Sequence, residues 1–271
     1  MASSNYYALI LGASSGFGKA AALALAEDGI NIIGVHLDRA AGLQQVEELK
    51  TQLDSKGVRH LFFNVNAADP DRREEVMQGI KAELEAHPGS TVRMMLHSLA
   101  FGTLKPFIAD KIEDAINQKN LEMTMDVMAN SIVYYTQDLV RHGLMGPGGR
   151  VIGLTSAGSS RALPVYGAVS AAKAALESYC RQLAMELAPH GITANTIRAG
   201  VTYTPALAKI PSAQAIMNNA MMRNPSHRLT TPEDVANVLR LLIKDEAAWI
   251  NGEVLGVDGG ENSVDMTLWT V

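Results

Sequence analysis

The stretch that determines the fold is Tyr7-Ala-Leu-Ile-Leu-Gly-Ala-Ser-Ser-Gly-Phe-Gly18, near the start of the chain. Its apolar run from Ala8 to Leu11 predicts a buried β-strand, and the alanine-rich run from Lys19 to Ala26 predicts a helix. The glycines between them permit a sharp turn, a close approach of backbone N–H groups to a phosphate, and tight packing of helix on strand. Because a helix N-terminus carries partial positive charge, this stretch predicts a phosphate-binding turn.

The composition predicts one α/β domain over residues 1–271. Of these residues 47% are hydrophobic but only 5% are aromatic, which suits helices packed on a parallel sheet. No segment is typical of a flexible linker between domains. The net charge of −5 argues against nucleic acid as a partner. The lone Cys180 excludes an internal disulfide, which is consistent with a reducing compartment.

The chain shows no targeting or membrane signal in its sequence. The start Met1-Ala-Ser-Ser-Asn5 lacks the basic residues and the apolar core of a secretory signal. No segment approaches the roughly 18 uncharged apolar residues that cross a bilayer. We therefore expect a soluble cytoplasmic protein with no membrane partner.

Predicted strands and helices alternate from end to end, which is typical of βαβ units on a parallel sheet. The strands are predicted near 7–11, 30–37, 60–65, 91–97, 150–155, 193–198 and 254–257. The helices are predicted near 17–27, 40–56, 71–86, 112–143, 166–188 and 232–244. The predicted fold class is a Rossmann-type, doubly wound α/β sheet of about seven strands with helices on both faces. Nucleotide is expected at the carboxyl ends of the strands, where the strand order reverses.

A tyrosine and a lysine seven residues apart mark a candidate chemical site. The fifth predicted strand leads into Ser156-Ala-Gly-Ser-Ser160, and Tyr166-Gly-Ala-Val-Ser-Ala-Ala-Lys173 begins the next helix. Seven residues are nearly two helical turns, so we expect both side chains on one helix face, about 10 Å apart along the axis. A neighbouring ammonium favours the phenolate and is expected to lower the pKa of the phenol from its reference value of about 10.

Together these motifs resemble the short-chain dehydrogenase/reductase family over roughly residues 7–260. The glycine spacing GxxxGxG of residues 12–18 and the closing stretch Asn251-Gly-Glu-Val-Leu-Gly-Val-Asp-Gly-Gly260 match that family. The family's usual tyrosine-to-lysine spacing is four, and Ser170 stands at that place here. The spacing of seven, the segment His97-Ser-Leu-Ala-Phe101 and the pair Ala199-Gly200 instead resemble bacterial enoyl-acyl-carrier-protein reductases.

This resemblance implies NAD(P)H-dependent reduction of the 2,3 double bond of an enoyl thioester in fatty acid synthesis. Tyr166 then donates a hydrogen bond or proton to the thioester oxygen, Lys173 orients the cofactor ribose, and Ser156 assists. Ser156 stands ten residues before Tyr166, where many enoyl reductases have a second tyrosine; a serine there resembles the NADPH-using branch or a ketoreductase serine. The asparagine of the family's proton relay falls on Met128, with Asn130 two residues further on.

The resemblance also implies a cofactor site. Asp38 can hold the ribose 2′-OH of NAD, whereas Arg39 can hold the 2′-phosphate of NADP. The family's NAD-selecting carboxylate falls on His36, which favours NADPH over NADH. The implied contacts, without any metal, are Gly12, Ser14, Ser15, Gly16, Phe17, Gly18, Asp38, Arg39, Asn64, Val65, Ser98, Ala100, Lys173, Gly200, Val201 and Thr204. Of these, the Val201 backbone is placed to hold the nicotinamide amide, and the Thr204 hydroxyl a phosphate.

Residues 201–228 predict a lid over the substrate. This apolar segment contains several methionines, which suit an adaptable cover for an acyl chain, although core and subunit-contact roles remain open. If the acyl donor is an acidic carrier protein, a basic rim is needed, and the nearby cations are Lys105, Lys209, Arg223 and Arg228. By analogy with the family we expect a homotetramer built from the helices near 112–143 and 166–188.

Two other functions remain open at this stage. A short-chain ketoreductase or hydroxysteroid-type dehydrogenase would use Ser156 and Tyr166 to polarise a ketone. A nucleotide-binding regulator without catalysis would bind the cofactor while Tyr166 and Lys173 do no chemistry.

Overall fold

Seven parallel strands form a single sheet. The structure, a computed structural model, describes residues 5–210, 212–264 and 266; the remaining positions of the predicted 1–271 domain, including 211 in the predicted lid, lie outside it. The strands are β1 (Tyr6–Leu11), β2 (Asn31–His36), β3 (His60–Asn64), β4 (Thr91–His97), β5 (Arg150–Ser156), β6 (Thr193–Ala199) and β7 (Val254–Val257). Their order is β3-β2-β1-β4-β5-β6-β7, which confirms the predicted doubly wound α/β fold.

Helices cover both faces of this sheet. The helices are α1 (Gly16–Glu27), α2 (Ala40–Ser55), α3 (Pro70–Ala86), α4 (Gln118–Met125), α5 (Ser131–Arg141), α6 (Gly167–Leu187), α7 (Ala213–Arg223) and α8 (Pro232–Leu242). Apolar residues of α1, α2 and α8 pack on one face, and those of α3, α5 and α6 pack on the other. The strand order reverses between β1 and β4, so their carboxyl ends leave a crevice there.

The central strand β1 shows why the apolar runs form strands. Tyr7, Leu9 and Leu11 face the α3, α5 and α6 layer, whereas Ala8 and Ile10 face the other layer. All five side chains are fully buried. A strand covered on both faces must be apolar at every position, and burying each large aliphatic side chain contributes about 1.5–3 kcal/mol.

The prediction of one long helix near 112–143 is wrong for the first part of that range. Residues Ile112–Asp114 form only a short 3-10 turn, and Ile112 is 88% exposed, so it does not face the sheet. The regular helix begins after Asn117, whose side chain accepts a hydrogen bond from the N–H of Asn120 and so caps α4. A π-helical stretch, Asp126–Asn130, then joins α4 to α5.

The segment 201–228 contains a helix, α7, that was not among the predicted helices. Of its residues only Ala220 is buried, and Met222 is 60% exposed. This low burial argues against the core role that the sequence left open for the segment. No helix among the described residues has the length and apolar character needed to cross a bilayer.

The contact between β1 and α1 yields a prediction about stability. A Cβ atom at Gly18 would overlap the carbonyl oxygen of Gly12, which is backbone and cannot move aside easily. We expect Gly18→Ala to lower the free energy of unfolding by about 3 kcal/mol, the upper range for overpacking. Urea denaturation followed by circular dichroism measures this loss.

The matched control is Gly146→Ala, because nothing lies within 4 Å of a Cβ at that glycine. Its free energy of unfolding should stay within about 0.5 kcal/mol of the wild-type value. Equal stability of the two variants would contradict the close contact.

Candidate active site

A cleft of about 280 Å³ opens at the carboxyl ends of the central strands. Apolar side chains such as Leu99, Met128 and Val169 form much of its wall. Nine of the predicted site residues also line it: Phe17, Ser98, Ala100, Ser156, Tyr166, Lys173, Gly200, Val201 and Thr204. An apolar cleft with a few convergent polar groups is the usual form of a small-molecule site.

The glycine turn after β1 has the geometry needed to hold a phosphate. Gly12 has a φ of +92°, and a Cβ there would lie 2.6 Å from the carbonyl oxygen of Ser98. Helix α1 begins at Gly16, and the side chain of Ser15 makes no capping hydrogen bond, so the first N–H groups of α1 are not covered by a side chain. Thr204 lies beside this turn, 3.5 Å from the place of a Cβ on Gly16. These residues fit the pyrophosphate of a dinucleotide.

The loops after β2 and β3 hold each other together. The N–H of Asp38 donates to Asn64 Oδ1 at 2.9 Å, and Asn64 Nδ2 donates to the carbonyl oxygen of Asp38 at 2.9 Å. The next residue, Val65, donates its N–H to the carbonyl oxygen of His36. The structure therefore brings together Asp38, Asn64 and Val65, three of the predicted cofactor contacts, although they do not line the cleft itself.

The carboxylate of Asp38 is paired with a histidine. His36 Nδ1 lies 2.9 Å from Asp38 Oδ2. Burial lowers the pKa of His36, and Asp38 raises it in part. Arg39 is exposed, and its guanidinium makes no hydrogen bond within the described residues. Asp38 and Arg39 are the two candidate residues for binding the ribose. In the described part of the chain, the Asp38 carboxylate has a protein partner and the Arg39 guanidinium has none.

The side chains of Tyr166 and Ser156 both lie close to Gly158. A Cβ on Gly158 would lie 2.5 Å from the ring carbon Cε1 of Tyr166 and 3.3 Å from Ser156 Oγ, so the glycine lets the two side chains approach. Ser156 Oγ is buried and has no hydrogen-bond partner of normal geometry among the described residues. A buried hydroxyl without a partner is costly unless a ligand or water satisfies it.

The expected lowering of the Tyr166 pKa is wrong. Burial raises the pKa of this phenol, and the neighbouring Ser156 hydroxyl offsets the increase in part. Burial disfavours the charged phenolate, and this effect dominates. Tyr166 stands just before α6 as its N-cap residue, so it precedes the helix that carries Lys173.

Lys173 lies on the floor of the cleft and is 6% exposed. Its Nζ donates to the carbonyl oxygen of Leu154 at 2.7 Å and to that of Leu99 at 3.4 Å. Burial lowers the pKa of Lys173 to about 8, and Glu177 one turn further along α6 raises it in part. The ammonium is therefore held between the ends of β4 and β5.

Neither residue near the predicted proton relay supplies an amide to the cleft. Met128 lines the cleft, whereas Asn130 is occupied elsewhere: its Oδ1 accepts from the Tyr179 hydroxyl and its Nδ2 donates to Asp126. His97 is also structural, because its ring is fully buried with Nε2 2.8 Å from Ser131 Oγ. Burial lowers the pKa of His97 to about 3, so the ring is neutral.

The predicted basic rim is mostly engaged within the protein. Lys105 donates to the carbonyl oxygen of Glu113, Arg223 pairs with Glu261, and Arg228 pairs with Asp234. Three of the four basic side chains predicted for the rim are thus already bound to groups within the protein.

Glu261 is a cleft residue that the sequence does not predict. It follows the glycine turn after β7, is 2% exposed and lines the cleft. Its carboxylate accepts a hydrogen bond from the N–H of Val201 at 2.9 Å. Nothing in the local sequence predicts this contact, because its two residues lie sixty positions apart.

Comparison with known proteins identifies the family. The family model described as "Enoyl-(Acyl carrier protein) reductase" matches residues 12–262. The crystal structure of FabI from Candidatus Liberibacter asiaticus is 26% identical, with a TM-score of 0.83 over 96% of each chain. The Aquifex aeolicus enoyl-[acyl-carrier-protein] reductase [NADH] FabI is 32% identical over 187 residues, 69% of this chain and 68% of that protein. The Synechocystis 3-oxoacyl-[acyl-carrier-protein] reductase is 28% identical over 93% of this chain and 95% of that protein.

The fold and the cleft define an oxidoreductase with a Rossmann-type nucleotide-binding domain. The chain belongs to the short-chain dehydrogenase/reductase family and is related within it to the enoyl-acyl-carrier-protein reductases.

The buried ammonium yields a prediction about pH. The folded-state pKa of Lys173, about 8, lies below the ordinary lysine value of about 10.4, so the unfolded chain binds more protons between these values. Stability contributed by this group therefore increases as the pH rises from 7 toward 10. We expect wild type to gain about 2 kcal/mol relative to Lys173→Met between pH 7 and pH 9.5.

Urea denaturation of both proteins at the two pH values measures this difference. A constant or decreasing difference would show that Lys173 is not a desolvated ammonium.

Proposed function

We propose that this protein uses NAD(P)H to reduce the carbon–carbon double bond of an enoyl thioester. The observation that carries the proposal is the side chain at the relay position. Met128 lines the cleft there, and the amide of Asn130 is bound to Tyr179 and Asp126. Ketone reduction transfers a full proton to an alkoxide and benefits from a relay that reprotonates the tyrosine. Reduction of an enoyl thioester requires only that an enolate oxygen be stabilised, which a hydrogen bond achieves.

The cofactor, when bound, supplies a hydride to C3 of the substrate. Tyr166 donates a hydrogen bond to the thioester oxygen as negative charge develops on it. The raised pKa of Tyr166 keeps the phenol protonated, and therefore a donor, at neutral pH. Ser156, whose hydroxyl has no partner of normal geometry in the described structure, supplies a second donor. The enolate then takes a proton at C2 from solvent water, so that the hydride and this proton together add across the double bond.

Lys173 positions the cofactor. A primary ammonium has three N–H donors, and the carbonyl oxygens of Leu154 and Leu99 accept two of them. The third donor serves the nicotinamide ribose. The shorter of the two bonds, to Leu154, ties the ammonium to strand β5 of the sheet, and the longer one ties it to the loop that follows β4.

The substrate's acyl chain lies in the apolar part of the cleft. Leu207, Ile210 and Ile216 line the cleft from the segment 201–228, which supports the lid role of that segment. The thioester is carried by an acyl carrier protein or by coenzyme A. The setting of the reaction is fatty acid synthesis in the cytoplasm, in a homotetramer of this chain.

One observation favours a second candidate function, the reduction of a ketone. The adjacent hydroxyls of Ser156 and Tyr166 form a pair that also suits a carbonyl oxygen. A 3-oxoacyl thioester then takes the place of the enoyl thioester in the same cleft.

A paired substrate assay tests the proposal. NADPH or NADH oxidation is followed at 340 nm with a crotonyl thioester and, separately, with an acetoacetyl thioester. We expect turnover of the crotonyl substrate, and we expect Tyr166→Phe to reduce kcat about 10²–10³-fold because it removes an oxyanion donor.

Tyr179→Phe is the matched control, since Tyr179 lies on α6, the helix that follows Tyr166, and bonds Asn130 outside the cleft. Its kcat should stay within about twofold of wild type. Turnover of the acetoacetyl substrate alone would refute the enoyl assignment and support the second candidate.

We also propose a preference for NADPH, which the loop after β2 supports. The guanidinium of Arg39 is free to pair with a 2′-phosphate, whereas the Asp38 carboxylate is held by His36. We expect Arg39→Gln to raise KM for NADPH about tenfold, because a charge-assisted bond contributes about 1.5–3 kcal/mol. KM for NADH should change less than twofold. Steady-state kinetics with both cofactors measures this; an equal increase for both would show that Arg39 does not contact the phosphate.

A further inference from the structure

The carboxylate of Glu261 joins two parts of the structure. Its Oε2 accepts from the N–H of Val201 at 2.9 Å, and its Oε1 accepts from Arg223 Nη2 at 3.2 Å. Glu261 is 2% exposed, and the Arg223 side chain is 27% exposed. A buried carboxylate is stable only when it is paired, so loss of Arg223 leaves a charge with little compensation. The two contacts are therefore energetically coupled.

Arg223 belongs to the helix that covers the cleft. It is the last residue of α7, and Ile216 of the same helix lines the cleft. The following residue, Asn224, is buried and donates its Nδ2 to the carbonyl oxygen of Asp258 at 2.9 Å. The turn after β7 thus holds the C-terminal end of α7 through two neighbouring residues.

Val201 is held from both sides. Its N–H is bound by Glu261, and its carbonyl oxygen accepts from the N–H of Thr230 at 3.1 Å. It follows Gly200 at the end of β6, on the wall of the cleft that would receive the nicotinamide. The N–H of Val201 is thus engaged within the protein and does not hold the nicotinamide amide, whereas its carbonyl oxygen keeps a second lone pair that can accept from that amide. The position of this carbonyl depends in part on the buried carboxylate of Glu261.

We propose that Glu261 and Arg223 form a latch that couples the position of α7 to the affinity for the nicotinamide cofactor. Glu261 acts as a positioning residue: it keeps Val201 in place while Arg223 keeps α7 over the cleft. When α7 lifts, Arg223 leaves Glu261, Val201 loses its fixed partner, and the cofactor is held more weakly. This inference rests on the proposed cofactor site but not on the proposed substrate.

Amide hydrogen exchange of α7 in the cofactor-free protein, together with fluorescence titration of NADPH and NADH, tests the latch. The variants are Arg223→Gln, Glu261→Gln and the double variant. We expect each single variant to increase exchange in α7 about tenfold and to raise the cofactor Kd about 3–10-fold. The double variant should match the single variants within about twofold, because the two residues act as one unit.

Two further variants separate the latch from a general loss of structure. Arg223→Lys keeps the charge and should leave both values within about twofold of wild type. Arg72→Gln removes an exposed arginine paired with Glu75 on α3 and should change neither value. Circular dichroism establishes that each variant is folded.

The possible failures are distinguishable. Unchanged exchange in α7 in both single variants refutes the latch. Faster exchange in α7 without any change in cofactor Kd refutes the coupling, while the proposed function stands. A wild-type protein that binds neither NADPH nor NADH refutes the proposed function and the coupling together.

Discussion

The contact between the first strand and the first helix is the constraint on which the site depends. Gly18 of α1 lies so close to the carbonyl oxygen of Gly12 that no side chain fits between them, and Gly12 in turn lies close to the carbonyl oxygen of Ser98 after β4. These contacts bring the start of α1 to the edge of the sheet where the strand order reverses. Because helix N-terminal N–H groups then face the crevice, one backbone arrangement creates both the phosphate site and the start of the cleft.

Burial shifts the pKa values of Tyr166 and Lys173, two titratable residues of the cleft, in opposite directions. It raises the pKa of Tyr166 and lowers that of Lys173, since in each case it disfavours the charged form. Tyr166 is therefore a neutral donor rather than a phenolate. Lys173, whose pKa Glu177 raises in part, donates from its ammonium to the carbonyl oxygens of Leu154 and Leu99. In the proposed reaction, these two residues act through hydrogen bonds rather than through an ion pair with each other.

The cleft is completed by parts of the chain that lie far apart in sequence. Ser156 and Tyr166 meet only because Gly158 leaves room between them, and Glu261 reaches Val201 from the turn after β7. The latch of Glu261 and Arg223 extends this network to α7. A reductase must admit its cofactor and exclude water from the reacting carbon. The proposed link between α7 and the cofactor site would serve both requirements.

The sequence by itself determined the fold class, the order of its strands and helices, and the residues of the glycine turn. These features depend on local composition: apolar runs, glycines and the seven-residue interval between Tyr166 and Lys173, which also carried the family resemblance. Tyr166 itself precedes α6. It did not determine the break at Ile112–Asp114, the helix α7, the direction of the Tyr166 pKa or the role of Glu261. Those features depend on burial and on contacts between distant residues, and a desolvation cost or a partner sixty residues away has no local signature in the chain.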